Sequence, residues 1–377
     1  MELSFTPEQE LLRKAAREFA EEHVAPRVEV MEESQQVSWD VIRKMSELGF
    51  MGVIAPTQYG GSGLGHVARM VMLEEIARIS ASVAMTLQMT HVGMQCILDA
   101  GNDEQKAQYV PPLAKGSQIG TLAITETTGG SDPNGVVTQA KLEGDNYILN
   151  GRKVFITNAH IADVMAVVGR TDEGPKGTTA FIVDKTMPGF KRGREEHKLG
   201  LLGCDTGEVV FENCVVPRRN LLGKEGDGIR IGLKGIGEVG RAGMAGCALG
   251  VLRASLEAAA KFSKERVVGG QAISKLQSVQ WKLADMYLDL DVSRLLAYRA
   301  AEMKDKGQRC DVEMAMAKYY SVEAAIRAAK NAVDIHGGYG TLKEYPVQRY
   351  LRDALLLGPS AGTSDIMKVI IARAALS

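Results

Sequence analysis

The spacing of apolar residues changes twice along this chain, from helical to strand-like near residue 120 and back to helical after Gly228. That order, helix then strand then helix, restricts the fold more than any other feature of the sequence. Thr6, Pro7 and Gln9 make a helix start, with the hydroxyl as N-cap, proline in the first turn and glutamine three residues after the cap. Leu12, Ala16, Phe19, Ala20 and Val24 follow at the spacing of one buried helical face. Further helices are expected from Val67 to Ile79 and around Ala84 to Leu98, with Pro111 and Pro112 marking a boundary. From about Gly120 to Pro217 the runs YILNGRKVFIT, VMAVVG, TTAFIVD and GEVVFENCVV favour strands, and Asn150 with Gly151 reads as a turn between two of them. Alanine-rich segments near 241–262, 271–304, 311–335 and 363–376 predict a helical bundle. The expected division is a helical domain over 1–120, a β domain over 121–225 and a second helical domain over 226–377.

Charge and cysteine usage narrow the function. The chain has 45 Lys and Arg against 46 Asp and Glu, a formal net charge of -1, so a phosphate-bearing ligand must be held by local geometry. Nothing in this balance favours nucleic acid. The five cysteines are odd in number, widely spaced and without metal-ligand spacing, so we expect no metal site and a reducing compartment. The opening MELSFTPEQELL lacks a basic segment and apolar run, and no stretch reaches about 18 apolar residues, so the expected location is cytoplasmic.

Several segments, in order along essentially the whole chain, resemble the flavin-dependent acyl-CoA dehydrogenase family. LAITETTGGSDP at 122–133 and KVFITNA at 153–159 resemble its flavin-side segments. DIHGGYGTLKEYPVQRYLRDA at 334–354 resembles its C-terminal flavin-binding region, and SAGTSDIMKVIIARA at 360–374 its active-site turn and last helix. The resemblance implies an α+β fold with an N-terminal helical domain, a middle β-barrel-like domain and a C-terminal four-helix bundle. It further implies one FAD, an acyl-CoA thioester, electron exchange with electron-transfer flavoprotein and a homotetramer.

The same resemblance assigns individual positions. Thr125, Thr127 and Ser131 fall where strand and loop approach the flavin ring and the thioester, and Phe155, Ile156 and Thr157 fall on the flavin wall. Phe155 stands where the family often has tryptophan; it keeps the aromatic surface without an indole N–H. Arg266 matches an arginine that reaches the dinucleotide of a neighbouring subunit, with Gln277 in the same region. Gly337, Gly338 and Gly340 allow close approach of backbone to a dinucleotide. Thr363 completes the cofactor set, while Ser131, Arg241, Ala361 and Gly362 match the substrate side. The width of the pocket depends on which of Thr86, Gln88, Met89, Thr90, Leu233 and Ile236 face the flavin.

One departure stands out. The residue before the C-terminal Gly-Thr pair usually supplies the carboxylate that removes the α proton, and here it is Ala361. Some members carry the base just before the arginine matched by Arg241, and that residue is Gly240. The segment KGIGEVGR carries one extra residue relative to the usual spacing, leaving Glu238 two positions away. Glu238 and His91 are the competing candidates for a relocated base, beside plain structural roles for each. The reading is an FAD-dependent acyl-CoA dehydrogenase, with 1,4-removal of proton and hydride from a cyclic or enoyl-CoA as one form. A non-redox lyase of desulfinase type and a catalytically silent flavin-binding protein are the alternatives.

Overall fold

The structure, a computed structural model, describes residues 5–174 and 177–376. Helices α1 (Pro7–Phe19), α2 (Val28–Ser34), α3 (Trp39–Glu47), α4 (Gly65–Ile79), α5 (Ala81–Ala100) and α6 (Asp103–Lys115) come first. Strands β1 (Gly120–Ala123), β2 (Gln139–Glu143), β3 (Asn146–Thr157), β4 (Val164–Arg170), β5 (Thr178–Asp184), β6 (Phe190–Glu195), β7 (Thr206–Pro217) and β8 (Leu221–Leu222) follow. Helices α7 (Gly228–Gly235) and α8 (Arg241–Glu265) then lead to a hairpin of β9 (Val267–Val268) and β10 (Gln271–Ala272). Helices α9 (Gln277–Asp305), α10 (Asp311–His336), α11 (Val347–Leu357) and α12 (Ser364–Leu376) complete the chain.

Local chemistry explains most of these boundaries. Thr6 and Gln9 exchange hydrogen bonds at 3.3 and 3.0 Å, so the capping box forms as expected. Pro111 and Pro112, by contrast, sit inside the last turn of α6, which runs on to Gly116 in the left-handed conformation. Their fixed φ suits a helix, while their missing N–H groups and the crowding of their rings against the preceding turn weaken it. Asn150 and Gly151 do not form a turn: both lie within β3, where its pairing with β7 shifts register after Leu149. A Cβ on Gly151 would come 2.4 Å from Thr138 Oγ1, so close approach of β3 to the residue that precedes β2, not a reversal, requires this glycine. The reversal lies at Gly144, with φ 58°, between β2 and β3.

The expected barrel is not present. Among the described residues the sheet runs β6-β7-β3-β2-β4-β5-β8, with β1 parallel to β4, and its ends β6 and β8 do not pair. Its halves are joined through one residue pair, Gln139 with Arg170. The charged, largely exposed β6 and the two-residue β8 present no continuous ladder that could close a ring. Alternation along β4 decides its packing: Val164, Ala166 and Val168 face α5 and α7, while Met165 and Val167 face Tyr147, Phe181 and Phe211.

The two helical regions share one core. Met70 and Leu73 of α4 belong to the same apolar cluster as Leu249 and Leu252 of α8, Met286 of α9 and Ala325 of α10. Helices α4 and α8 approach so closely that a Cβ on Gly250 would lie 2.5 Å from that of Ala77. The bundle therefore draws on helices from both ends of the chain. Between α7 and α8 the backbone makes a π-helical turn over Ile236–Gly240. A turn of this kind takes up one residue more than an α-helical turn without breaking the helix. No helix among the described residues is long and apolar enough to cross a membrane.

Candidate active site

A cavity of about 690 Å³ opens where α5, β1, β3, the start of α8 and the turn before α12 converge. Thr125, Ser131, Phe155, Ile156, Thr157, Ala361, Gly362 and Thr363 line it, whereas Thr127 is exposed and outside the lining. The register of β3 slips again between Lys153 and Ile156, and at that bulge Phe155 takes φ 56° and stays 66% exposed. The neighbouring Lys153 points inward, with Nζ donating to Glu126 Oε1 at 2.5 Å and to the Ile124 carbonyl at 3.2 Å. Glu126 also accepts from the N–H groups of Val137 and Thr138, so one buried ion pair straps the Thr125–Ser131 segment to β3. Burial lowers the Lys153 pKa to about 8 despite Glu126. Burial would raise Glu126, but Lys153 brings it below the usual carboxylate value. Both residues lie inside motifs that the resemblance rests on, yet their contact joins segments that the sequence presents separately.

Neither relocated-base candidate reaches the cavity. His91 is fully buried and outside the lining, and Arg69 Nε donates to its Nδ1 at 3.1 Å. The ring proton therefore sits on Nε2, which donates to the Phe50 carbonyl at 3.0 Å. Burial and the Arg69 charge hold its pKa at about 3, so the imidazole is neutral with both nitrogens engaged. Glu238 lies on the π turn and is ion-paired with Lys304 of α9, also outside the lining. Arg241 follows it, its pKa lowered by burial, and its Nε has no partner among the described residues.

The two positions to which the resemblance assigns a carboxylate meet in space. A Cβ on Gly240 would lie 3.6 Å from the Ala361 Cβ, and both residues line the cavity. Among its described lining residues there is no carboxylate; Lys198 donates to the Cys204 carbonyl at 2.8 Å, and burial pushes the Cys204 thiol up to about 11. Ala361 has φ 54°, a left-handed conformation uncommon for a residue with a Cβ. Lys318 of α10 braces this turn from below. Its buried ammonium donates to the carbonyls of Gly358 at 2.6 Å and Gly362 at 2.9 Å, and burial lowers its pKa to about 8. No motif pointed to Lys318, because its role depends on two carbonyls about 40 residues away. Thr363 also caps α12, accepting from the Ile366 N–H at 3.2 Å.

A second cavity, of about 440 Å³, lies at the far end of α8 and α10. Arg266 stands over the Tyr339 ring at 5.4 Å, beside Gly337 and Gly338. A Cβ on either glycine would meet nothing within 4 Å, so the backbone there is a bare strip open to a ligand. Gly340 differs: its Cβ would lie 2.6 Å from the Val333 carbonyl, so it serves the packing of its own segment. Gln277 is exposed at the start of α9, outside both linings.

Family models match the chain in three consecutive parts, described as the N-terminal, middle and C-terminal domains of acyl-CoA dehydrogenase, over residues 6–117, 121–214 and 226–376. A Bacillus subtilis protein named acyl-CoA dehydrogenase is 44% identical over 98% of each chain. A Clostridium sporogenes protein named 3-(aryl)acrylate reductase is 39% identical, again over 98% of each. The solved structure of butyryl-CoA dehydrogenase from Megasphaera elsdenii superposes with a TM-score of 0.98 at 36% identity, covering 100% of both chains.

Proposed function

The chain belongs to the acyl-CoA dehydrogenase family, and on that premise we propose that its preferred direction is reduction of an α,β-unsaturated acyl-CoA. It is an FAD-dependent oxidoreductase acting on CH–CH bonds of CoA thioesters. The residues fit the cofactor: the open aromatic face of Phe155 suits a flat ring system, and the bare strip at Gly337 and Gly338 suits a dinucleotide. Thr125, Ser131, Ile156, Thr157 and Thr363 would line the ring, with Arg266 at the phosphate and adenine end. Bound FAD supplies the hydride exchanged with Cβ of the acyl group.

The 3-(aryl)acrylate reductase among the relatives supports the direction, and the facing pair Gly240 and Ala361 makes the proton step slow in either sense. Oxidation requires a group that takes the Cα proton, and a positioned base is worth about 10²–10⁴ in rate. His91 and Glu238 are committed elsewhere, so the 1,4-oxidation with a relocated base has no base in the cavity. Reduction places a proton on Cα instead, and a carbon adjacent to a thioester carbonyl is then basic enough to take it from water. A missing base slows both directions of a shared path alike. Net turnover then follows the electron donor, and a low-potential donor favours reduction. The reductase named among the relatives acts in that sense.

Further parts of the reading rest on the same premise. Trp281, Leu288 and Leu295 are exposed at seven-residue intervals on α9, an apolar stripe that supports assembly as a homotetramer. Arg266, Gly337 and Gly338 would then receive the dinucleotide of a neighbouring copy, with electron-transfer flavoprotein as electron carrier. Five unpaired buried cysteines suit the cytoplasm, and the domain limits remain 1–120, 121–225 and 226–377.

Anaerobic half-reactions in D₂O test the direction. Chemically reduced holoenzyme mixed with enoyl-CoAs should regain the oxidised flavin spectrum and give product with deuterium at Cα. Oxidised holoenzyme mixed with the matching saturated thioesters should bleach more slowly and less completely. Comparable bleaching overturns the proposed direction, and product without any colour change replaces redox chemistry by the lyase.

A further inference from the structure

We propose that Gln88, oriented by Arg69, is a hydrogen-bond donor at the deep end of the acyl cavity that selects acyl groups carrying an oxygen acceptor beyond the reacting carbons. This rests on the reading of the cavity as the acyl site of a CoA-thioester oxidoreductase, and it adds the chemical class of the acyl group.

Gln88 is fully buried yet lines the cavity. Arg69 NH2 donates to its Oε1 at 3.1 Å, and a guanidinium has no acceptor, so the amide oxygen must face Arg69 and the NH₂ must face away. Among the described residues the NH₂ group meets only thioethers, Met89 Sδ at 3.2 Å and Met85 Sδ at 3.7 Å. Sulfur is a weak acceptor, and a buried amide donor without an oxygen partner is both rare and costly.

Arg69 strengthens the case. It is itself buried, and its hydrogen bonds all go to neutral acceptors: His91 Nδ1, the Val239 carbonyl and Gln88 Oε1, each at 3.1 Å. Among the described residues it forms no ion pair. A positive charge without a counter-charge therefore stands directly behind the amide and polarises its N–H groups outward. His91 serves to hold this arginine. Helix α8 makes room for the arrangement, since a Cβ on Gly243 would lie 2.2 Å from Gln88 Oε1 and 2.7 Å from Arg69 NH2. A plain apolar wall would need neither the glycine nor the buried arginine.

The depth is readable along α8. Gly240 faces Ala361, where Cα of a thioester would react, and Gly243 lies three residues further, about 4.5 Å along the axis. The donor thus addresses a group several bonds beyond Cα. A carboxylate gains most there, because it also answers the Arg69 charge; a carbonyl or hydroxyl gains the hydrogen bond alone.

Calorimetric titration of the oxidised holoenzyme tests this with saturated acyl-CoAs of equal length ending in methyl, carbonyl or carboxylate. The oxygen-ended ligands should bind about tenfold tighter than the methyl-ended one, and the carboxylate more so. Gln88→Met should bring the ratio close to one. Gln88→Glu, which keeps a partner for Arg69 but removes the donor, should invert the preference against the carboxylate. Equal binding by the natural protein, or a preference that survives both substitutions, overturns the proposal. Failure of the redox reading appears separately, as absence of any flavin colour change with every thioester, and leaves the affinity ratio unaffected.

Discussion

Placing a carboxylate at position 361 should convert this protein into an efficient acyl-CoA oxidiser. Ala361 already holds φ 54° with a Cβ, so Ala361→Glu adds no backbone strain beyond what the turn carries. Gly240 leaves the opposite wall without a side chain, and the cavity is large enough for the added atoms. Lys318, bonded to the Gly362 carbonyl, is a nearby cation that helps keep the new carboxyl ionised. A positioned base is worth about 10²–10⁴ in rate, or roughly 3–5 kcal/mol of barrier, so even partial alignment should be visible. The assay is stopped-flow bleaching of the oxidised flavin by a saturated acyl-CoA, which should accelerate at least about 100-fold. Gly240→Glu should do nearly as well, because its Cβ would lie 3.6 Å from that of residue 361. If neither variant gains while FAD content and melting temperature are preserved, proton removal is not what limits oxidation and the argument from the two vacant positions fails.

Three further outcomes follow from the structure. Gly340→Ala forces a Cβ to within 2.6 Å of the Val333 carbonyl and should destabilise the fold by about 1–3 kcal/mol in urea unfolding. Gly338→Ala meets open space, so it should unfold almost as the natural protein does while retaining FAD less tightly on dialysis; equal FAD retention would remove the bare strip from the cofactor site. Acid should unfold the protein in a defined window, because burial depresses both His66 and His91 to about 3 from an ordinary value of 6.5. The unfolded chain takes up protons that the folded one refuses, so their contribution is complete above 6.5 and lost as the pH falls toward 3. Denaturant titrations across that range should show the slope, and His91→Gln should flatten part of it.

The sequence made the helix, strand, helix order legible because the two spacings differ, and it made the first helix legible because Thr6 and Gln9 are local partners. Sheet closure was not legible, since it depends on whether distant edges such as β6 and β8 meet. Asn150 and Gly151 carried a turn signature that the approach of Thr138 overrides. At the site, the cavity wall at Phe155, Ile156 and Thr157 lies within one contiguous motif, whereas the choice between faces of α5 could not be read. That helix is buried almost all round, so no polar face marks its orientation, and His91 turns away while Gln88 turns in. Their common partner, Arg69, lies on a different helix and has no motif of its own.

The joint core of α4 and α8 has a consequence for synthesis of the chain. Residues 79 and 241, the end of one helix and the start of the other, are separated by roughly 160 residues. At about 5–20 residues per second, the ribosome needs on the order of 10–30 seconds to bridge that gap, and longer to complete α8. Throughout that interval the apolar side of α4, including Met70 and Leu73, lacks the surface it is shaped to meet. The sheet can pair meanwhile, so the nascent protein passes through a stage with a formed middle and an unfinished, adhesive beginning that a holding chaperone would recognise.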